Sequence, residues 1–244
     1  MPTTRERRLD VAPSPETAPR TLVQDVYQRL RSDIIYGELK PGKRLRAEHL
    51  KGLYNVSGAT MREALALLVA DALVISREQR GFIVAPVSIA DFTDITETRA
   101  TLEAHAVRMA VRMAVRQGDD EWEVNLSGAF HRLSLAEERR AYRQNDDYWE
   151  ECNKKFHEAL VAGFDSPWTR YFLTILYRQS ERYRRIALNN APPERDVHAE
   201  HVAIFEAAMA RDEVTVGALI EQHIRATLDV ILSVESAVVS SNDS

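Results

Sequence analysis

Hydrophobic residues recur at three- and four-residue steps along most of this chain, and one short stretch of alternation interrupts them. From Thr21, the residues Leu22, Val26, Leu30 and Ile34 share a helical face with Val23, Tyr27 and Ile35, and Gly37 is the expected stop. Pro41-Gly42 makes a tight turn before a second helix, about 47–54, carried by Leu50, Leu53 and Tyr54. Asn55, which tolerates a left-handed conformation, leads into a third helix within Val56–Leu73. Ser57 caps it, Met61, Leu65, Leu68 and Ala72 form its buried face, and Ala59, Thr60, Arg62 and Ala66 look outward. Val74-Ile75-Ser76 and Gly81-Phe82-Ile83-Val84 then read as a hairpin ended by Pro86, with Arg77 and Arg80 at its turn. Three helices and a basic-tipped hairpin predict a winged helix-turn-helix.

From Ser88 onward glycine and proline are sparse and the helical period dominates. Six helices are expected, at about 90–117, 120–144, 146–163, 167–189, 194–211 and 213–236, with the first striped by Ile95, Arg99, Leu102, Ala106, Met109 and Met113. Short connections make neighbours antiparallel. The predicted fold is therefore mainly α: an N-terminal winged helix-turn-helix over 21–86 plus a C-terminal six-helix antiparallel bundle over 88–236. Residues 1–20, with four prolines among polar residues, predict a disordered arm, and 237–244 a disordered tail.

Composition adds an asymmetry. The formal net charge of −5 divides unevenly: residues 20–86 carry eleven Lys and Arg against seven Asp and Glu, net +4, while residues 87–244 carry eighteen against twenty-seven, net −9. A basic first module on an acidic second one fits polyanion binding confined to the first. No apolar run is long enough to span a bilayer and no secretory signal opens the chain, so no membrane partner and a cytoplasmic location are expected. The single cysteine, Cys152, allows neither an internal disulfide nor a multi-cysteine zinc site.

Candidate chemistry falls in both modules. A third helix that opens on small groups and one long cation has the layout of a major-groove reader: Ser57, Gly58, Ala59, Thr60 and Arg62 lead it. Arg77, Arg80 and Gly81 at the wing and Arg46 before the second helix are the further DNA-contact candidates. Gly37–Lys43 matches the spacing of a phosphate-binding loop up to its lysine. Arg44 stands where Ser or Thr would be needed, a helix precedes it, and Pro41 removes a backbone N–H, so that reading fails. In the bundle, polar residues break the apolar stripes. Asn153 and His157 share a face with Trp149, Phe156 and Leu160, while His201 and His223 lie on apolar stripes of the fifth and sixth helices. One inward histidine is ordinarily a hydrogen-bonded core residue. Three histidines converging with one amide oxygen are also a first shell for a divalent metal, and the residues alone leave both readings open. Trp122, Trp149 and Trp168 are expected in the core, and Arg182, Arg184 and Arg185 on a solvated face. His198 is a substitute ligand for His201.

The residues also carry a resemblance. I-x-x-G-x-L-x-P-G-x-x-L at 34–45, L-x(5)-V-S-x(4)-R-E-A-L-x-x-L at 50–68 and R-G-F-I-V at 80–84 resemble the DNA-binding domain of GntR-superfamily transcription regulators. That family usually has arginine directly after the Val-Ser pair, where this chain has Gly58, and Ala59-Thr60 replaces the customary Thr-Pro. One bidentate guanine contact fewer removes about 1–3 kcal/mol of discrimination. N-x-x-F-H at 153–157, H-x-x-I-x-x-A at 201–207, Asp212, His223 and R-x-x-L-E at 99–103 resemble the FCD effector domain of the FadR branch, with six helices favouring its VanR-like subgroup. The resemblance implies a homodimeric regulator, most simply a repressor, on a palindromic double-stranded operator. It also implies a zinc or nickel ion, no organic cofactor, and a small carboxylate effector completing the coordination. Asn153 takes the place of the usual aspartate, a weaker ligand for want of charge. Arg99 is then a candidate effector clamp, with an ion pair to Glu103 as its structural alternative, and Glu103 and Arg178 are further effector candidates.

Two other classes of function compete with this one. A metal sensor without an organic effector needs the same histidines. A helical-bundle metalloenzyme needs E-x-x-H pairs, a second histidine after His157-Glu158 or a nucleophile elbow, and this chain has none. It is not expected to be an enzyme.

Overall fold

A computed structural model describes residues 21–77, 81–118, 120–140, 147–188 and 195–242. The expected arm at 1–20 and wing residue Arg80 lie outside them.

The N-terminal module is built from α1 (Leu22–Ile35), β1 (Arg44–Leu45), α2 (Ala47–Leu53), α3 (Gly58–Ala70), β2 (Val74–Arg77) and β3 (Gly81–Val84). Val26, Leu30 and Ile34 of α1 are buried with Met61, Ala64, Leu65 and Leu68 of α3 in one cluster, as the helical period requires. Asn55 adopts φ 55° between α2 and α3, so the tight turn forms where a left-handed residue was expected. Three expected core positions differ. Leu22 and Leu53 are exposed at helix ends. Ala72 is exposed too, at φ 56°, because α3 stops at its C-cap Asp71 and Leu73 fills the core instead.

The hairpin is one strand larger than the sequence shows. β1 pairs antiparallel with β3, Arg44 opposite Ile83 and Leu45 opposite Phe82, giving the order β1-β3-β2. A two-residue strand is too short to show any periodicity. Gly81, at φ 76°, occupies the left-handed region where a side chain would be strained.

The C-terminal bundle comprises α4 (Ile89–Gln117), α5 (Asp120–Arg140), α6 (Asp147–Val161), α7 (Pro167–Leu188), α8 (Val197–Met209) and α9 (Glu213–Asn242). Among the described residues no helix is long and apolar enough to cross a membrane. α4 packs against α6, α7 and α9 together, so its buried arc is wider than the expected stripe. Ala100, Ala104, Val107 and Val111 are fully buried, whereas Ile95, Leu102, Met109 and Met113 are only partly so. The alanines let three neighbours approach one helix at once. α9 continues to Asn242, beyond the expected end at 236, since no glycine or proline stops it.

α7 lies between the modules, and this reverses one expectation. Arg182, Arg184 and Arg185 are buried rather than solvated. Arg182 Nη2 donates to the Ala85 carbonyl at 2.5 Å, and Arg184 pairs with Glu150 at 2.7 Å. Arg185 reaches Asp147 at 2.7 Å and Glu181 at 3.1 Å, with its guanidinium 4.7 Å from the centre of the Tyr36 ring. Arg31 of α1 meets Glu181 from the other side at 2.6 Å. Such a helix needs polar residues around it because it packs against two bodies that both present charges.

Candidate functional site

The first site is the N-terminal edge of α3. Ser57 Oγ accepts the Thr60 N–H at 3.1 Å and lies 2.9 Å from Thr60 Oγ1, so both hydroxyls are engaged in the cap. Ala59, Arg62 and Ala66 are exposed on the side opposite Met61 and Leu65. Gly58 opens the helix, and a Cβ there would lie 3.2 Å from Glu48 Oε1. Glu48 also pairs with Lys51 at 2.5 Å and stands 3.8 Å from Arg62. These exposed pairs are weak, so Arg62 is free to exchange Glu48 for phosphate or a base edge. Arg46, exposed at the N-cap of α2, borders a groove of about 480 Å³ with Arg29, Lys43, Arg44 and His49. Sequence reasoning overlooks Lys43 and Arg44, although a basic pair directly after Pro41-Gly42 is their signal. Arg77 is exposed at the end of β2, opposite Gly81.

The second site lies inside the bundle. α6, α8 and α9 bring His157, His201 and His223 together, with one ring nitrogen of each within 4.8 Å of the others. All three are buried. Each Nδ1 faces a carboxylate: His157 that of Glu103, His201 that of Glu137 at 2.6 Å, His223 that of Glu200 at 2.7 Å. Burial alone would raise these three carboxyls, but the hydrogen-bond donors and cations around them outweigh it. Arg99 and His157 hold Glu103 well below the ordinary value, as Arg195 and His223 do Glu200, and His201 and His198 lower Glu137. An ionised carboxylate only accepts, so Nδ1 must donate and Nε2 is left as the lone-pair nitrogen. Burial also pushes the His157 and His223 imidazoles well below their usual range, which keeps them neutral.

Among the described residues, four buried side-chain atoms have no hydrogen-bond partner, and three belong here: His157 Nε2, His201 Nε2 and Asn153 Oδ1. Asn153 precedes His157 by one turn, and its Nδ2 donates to Tyr177 Oη at 2.8 Å, which fixes the amide and leaves the oxygen unused. Buried orphans of this kind cost about 1–3 kcal/mol each unless something else fills them. Three imidazole nitrogens and an amide oxygen, with carboxylates behind the rings, make a donor set suited to a borderline divalent ion. The residues fit a metal.

The other expected positions sort as follows. Arg99 is buried, its Nε 2.9 Å from Glu103 Oε2 and its guanidinium 4.8 Å from the Tyr177 ring centre, so it takes the ion-pair alternative. Arg178 is not beside the histidines: it pairs with Asp71 of the N-terminal module. One residue along a helix turns the side chain by about 100°, and its neighbour Tyr177 is the one that faces the site. His198 is half exposed and binds Glu137 from outside at 2.7 Å, behind His201 and not in its place. Asp212 caps α9, accepting from Thr215 N at 3.0 Å. Trp168 is exposed, against expectation.

Beside His157 a pouch of about 190 Å³ is lined by Glu103, Lys154, Val161, Arg170, Leu173, Thr174 and Tyr177, among others. Lys154, Arg170 and Thr174 had no sequence signal: each lies on an ordinary polar helix face and becomes a lining residue only where α6 and α7 border the same pouch.

Comparisons with known proteins agree with this division. Residues 22–84 match the family of bacterial regulatory proteins, gntR family, and residues 94–226 match the FCD domain. The chain is 45% identical over 224 residues to the uncharacterized HTH-type transcriptional regulator BphR of Paraburkholderia xenovorans (strain LB400), covering 91% of this chain and 90% of that one. It is 34% identical over 211 residues to the HTH-type transcriptional repressor GlaR of Escherichia coli (strain K12), covering 85% and 94%. Among solved structures, E. coli McbR/YncC superposes with a TM-score of 0.67 at 20% identity, over 88% of this chain and 99% of that one, a likeness of fold.

Proposed function

The chain belongs to the GntR family of bacterial regulatory proteins and carries an FCD domain, and on that premise we propose that it is a DNA-binding repressor governed by a metal-centred acid site in its bundle. It acts in the cytoplasm as a homodimer on a palindromic operator. Arg62 and Thr60 read the major groove, with the positions of Arg46, Ser57, Gly58 and Ala59 against the duplex and Arg77, Arg80 and Gly81 at the wing.

The observation that carries the regulatory half is the trio of orphaned buried atoms, His157 Nε2, His201 Nε2 and Asn153 Oδ1. His157, His201, His223 and Asn153 would hold a divalent ion, zinc or nickel. Bound there, the ion supplies a fixed positive point that attracts a carboxylate. The pouch beside His157 supplies the rest of the recognition: Lys154 and Arg170 for an acid's charge, Thr174 for a hydroxyl, Val161 and Leu173 for a short apolar body. Arg99 acts indirectly, fixing Glu103 and through it the His157 ring.

α7 is the path to the DNA. Tyr177 touches Asn153, and the next residue, Arg178, holds Asp71 at the C-terminal end of α3. Gln179 Nε2 donates to the Asp71 carbonyl at 2.6 Å. A shift of α7 at the pouch is thereby delivered to the recognition helix. Titrating metal-loaded protein on its upstream DNA with small carboxylates tests this reading. Release by an acid of a chemical class is expected; release by none, with release on metal removal alone, would replace it with pure metal sensing.

A further inference from the structure

Gly58, the first residue of α3, has no side chain to cover its neighbour on α2, and that neighbour is an acid. The Glu48 side chain is 69% exposed, and a Cβ at position 58 would lie 3.2 Å from its Oε1. Arg62 Nη1 stands 3.8 Å from the same oxygen, and Lys51 Nζ lies 2.5 Å from the other. The Lys51 hydrogen bond, with Arg62 beyond it, holds the carboxyl below its ordinary range, so Glu48 is charged. A carboxylate is out of place on a face that approaches phosphates, where like charges repel. It belongs there only if a base donates to it. The major groove shows two such donors, adenine N6 and cytosine N4. Adenine sets its N7 acceptor beside N6, against a carboxylate, whereas cytosine sets a C–H beside N4.

We infer that Glu48 reads cytosine, accepting from N4 in a C·G pair while Arg62 donates to O6 and N7 of the paired guanine. The inference rests on the proposed seat of the start of α3 in the major groove, and adds a base that this seat selects. Three observations support it. The cation and the anion stand side by side, as acceptor and donor do along the edge of a C·G pair. The pairs that Glu48 makes within the protein are exposed and weak, so Arg62 and the carboxylate can turn to the bases at little cost. A long side chain at position 58 would lie across Glu48, and glycine leaves its oxygens open. Glycine where the family usually has arginine thus takes away a donor for guanine and uncovers an acceptor for cytosine.

The test is selection of duplexes from a random pool by the full chain and by Glu48→Gln and Glu48→Ala, followed by affinities on single-pair variants at one salt concentration. Wild type is expected to keep one C·G pair in each half-site, and its change to T·A to weaken binding about 10–100-fold. An amide can pair with adenine N6 and N7, so Glu48→Gln should exchange that pair for A·T, and Glu48→Ala should accept any base there. Both variants lose a negative charge near phosphate, so on scrambled duplexes they should bind at least as tightly as wild type. Variants that select the same C·G pair as wild type, with affinity lowered for all duplexes or unchanged, would overturn the reading by Glu48 and leave α3 in the groove. A wild type that enriches no sequence would overturn that seat, and this inference with it.

Discussion

Arg178 of α7 pairs with the carboxylate of Asp71, which caps the C-terminal end of α3, 107 residues earlier in the chain. Tyr27 of α1 donates to the same carboxylate, so three helices meet at one acid. Arg178→Gln keeps the length of the side chain and removes its charge. It should cost about 1–3 kcal/mol in thermal or denaturant unfolding, the worth of a charged hydrogen bond at a partly buried acid. Metal content should be unchanged, yet operator affinity should respond much less to effector or to metal removal. A variant that responds as wild type does would remove α7 as the path between the modules.

The carboxylates behind the histidines are separately testable. Glu103→Gln, Glu137→Gln and Glu200→Gln leave the ring nitrogens in place but weaken the groups that fix their tautomer. Metal affinity should fall about 10–100-fold for each. Competition with a chromogenic chelator gives the number directly, and unaltered affinity in all three would mean that the rings need no support.

Acid should unmake the site. His157 and His223 have folded pKa values below the ordinary histidine value, His157 at about 4. Burial, the largest cause, favours their neutral forms, so in the metal-free protein their contribution to stability is present above about pH 6.5 and is lost as the pH falls towards 4. The unfolded chain binds the extra protons over that interval, which gives stability a positive slope with pH. Melting temperatures taken from pH 7.5 to 4.5 should decline through this window, and His157→Gln should flatten the decline. Protons compete for the same nitrogens, so metal retention should fall across the same range.

Much of this was legible in the sequence, and what was not has a common cause. The helical period placed His157, His201 and His223 inward because each lies on its own helix's apolar stripe, and Asn55 and Ser57 marked the turn and cap before the recognition helix. Glu137 and Glu200 carry no such signal. They lie on partly polar faces, and only the packing of α5 on α8, and of α8 on α9, makes them partners of imidazoles. Arg182, Arg184 and Arg185 read as solvent-facing for the same reason: a run of arginines says nothing about which second body will cover it. Trp168 misled in the other direction, since hydrophobicity alone does not say whether the covering surface belongs to the same chain.

Gly58 leads to a prediction about specificity. A Cβ there meets only the ends of flexible side chains, the Glu48 carboxylate at 3.2 Å and the Arg62 guanidinium at 3.6 Å, so Gly58→Arg should fold as wild type does. The added guanidinium, beside Arg62, should tighten DNA binding and steepen its salt dependence by about 0.9 for each additional phosphate neutralised. Binding curves at several salt concentrations on matched operator and scrambled duplexes would show whether it also changes sequence preference. A variant with neither effect would place Gly58 away from the DNA.

The central claim is that three histidines on three helices hold a metal ion. Elemental analysis after dialysis from metal-supplemented buffer, on wild type and on His157→Ala, His201→Ala and His223→Ala, addresses it without any knowledge of operator or effector. One equivalent of zinc or nickel per chain in wild type, and loss of it in each variant with helicity retained, is the predicted result. Equal metal in all four proteins, or none in wild type, would contradict it.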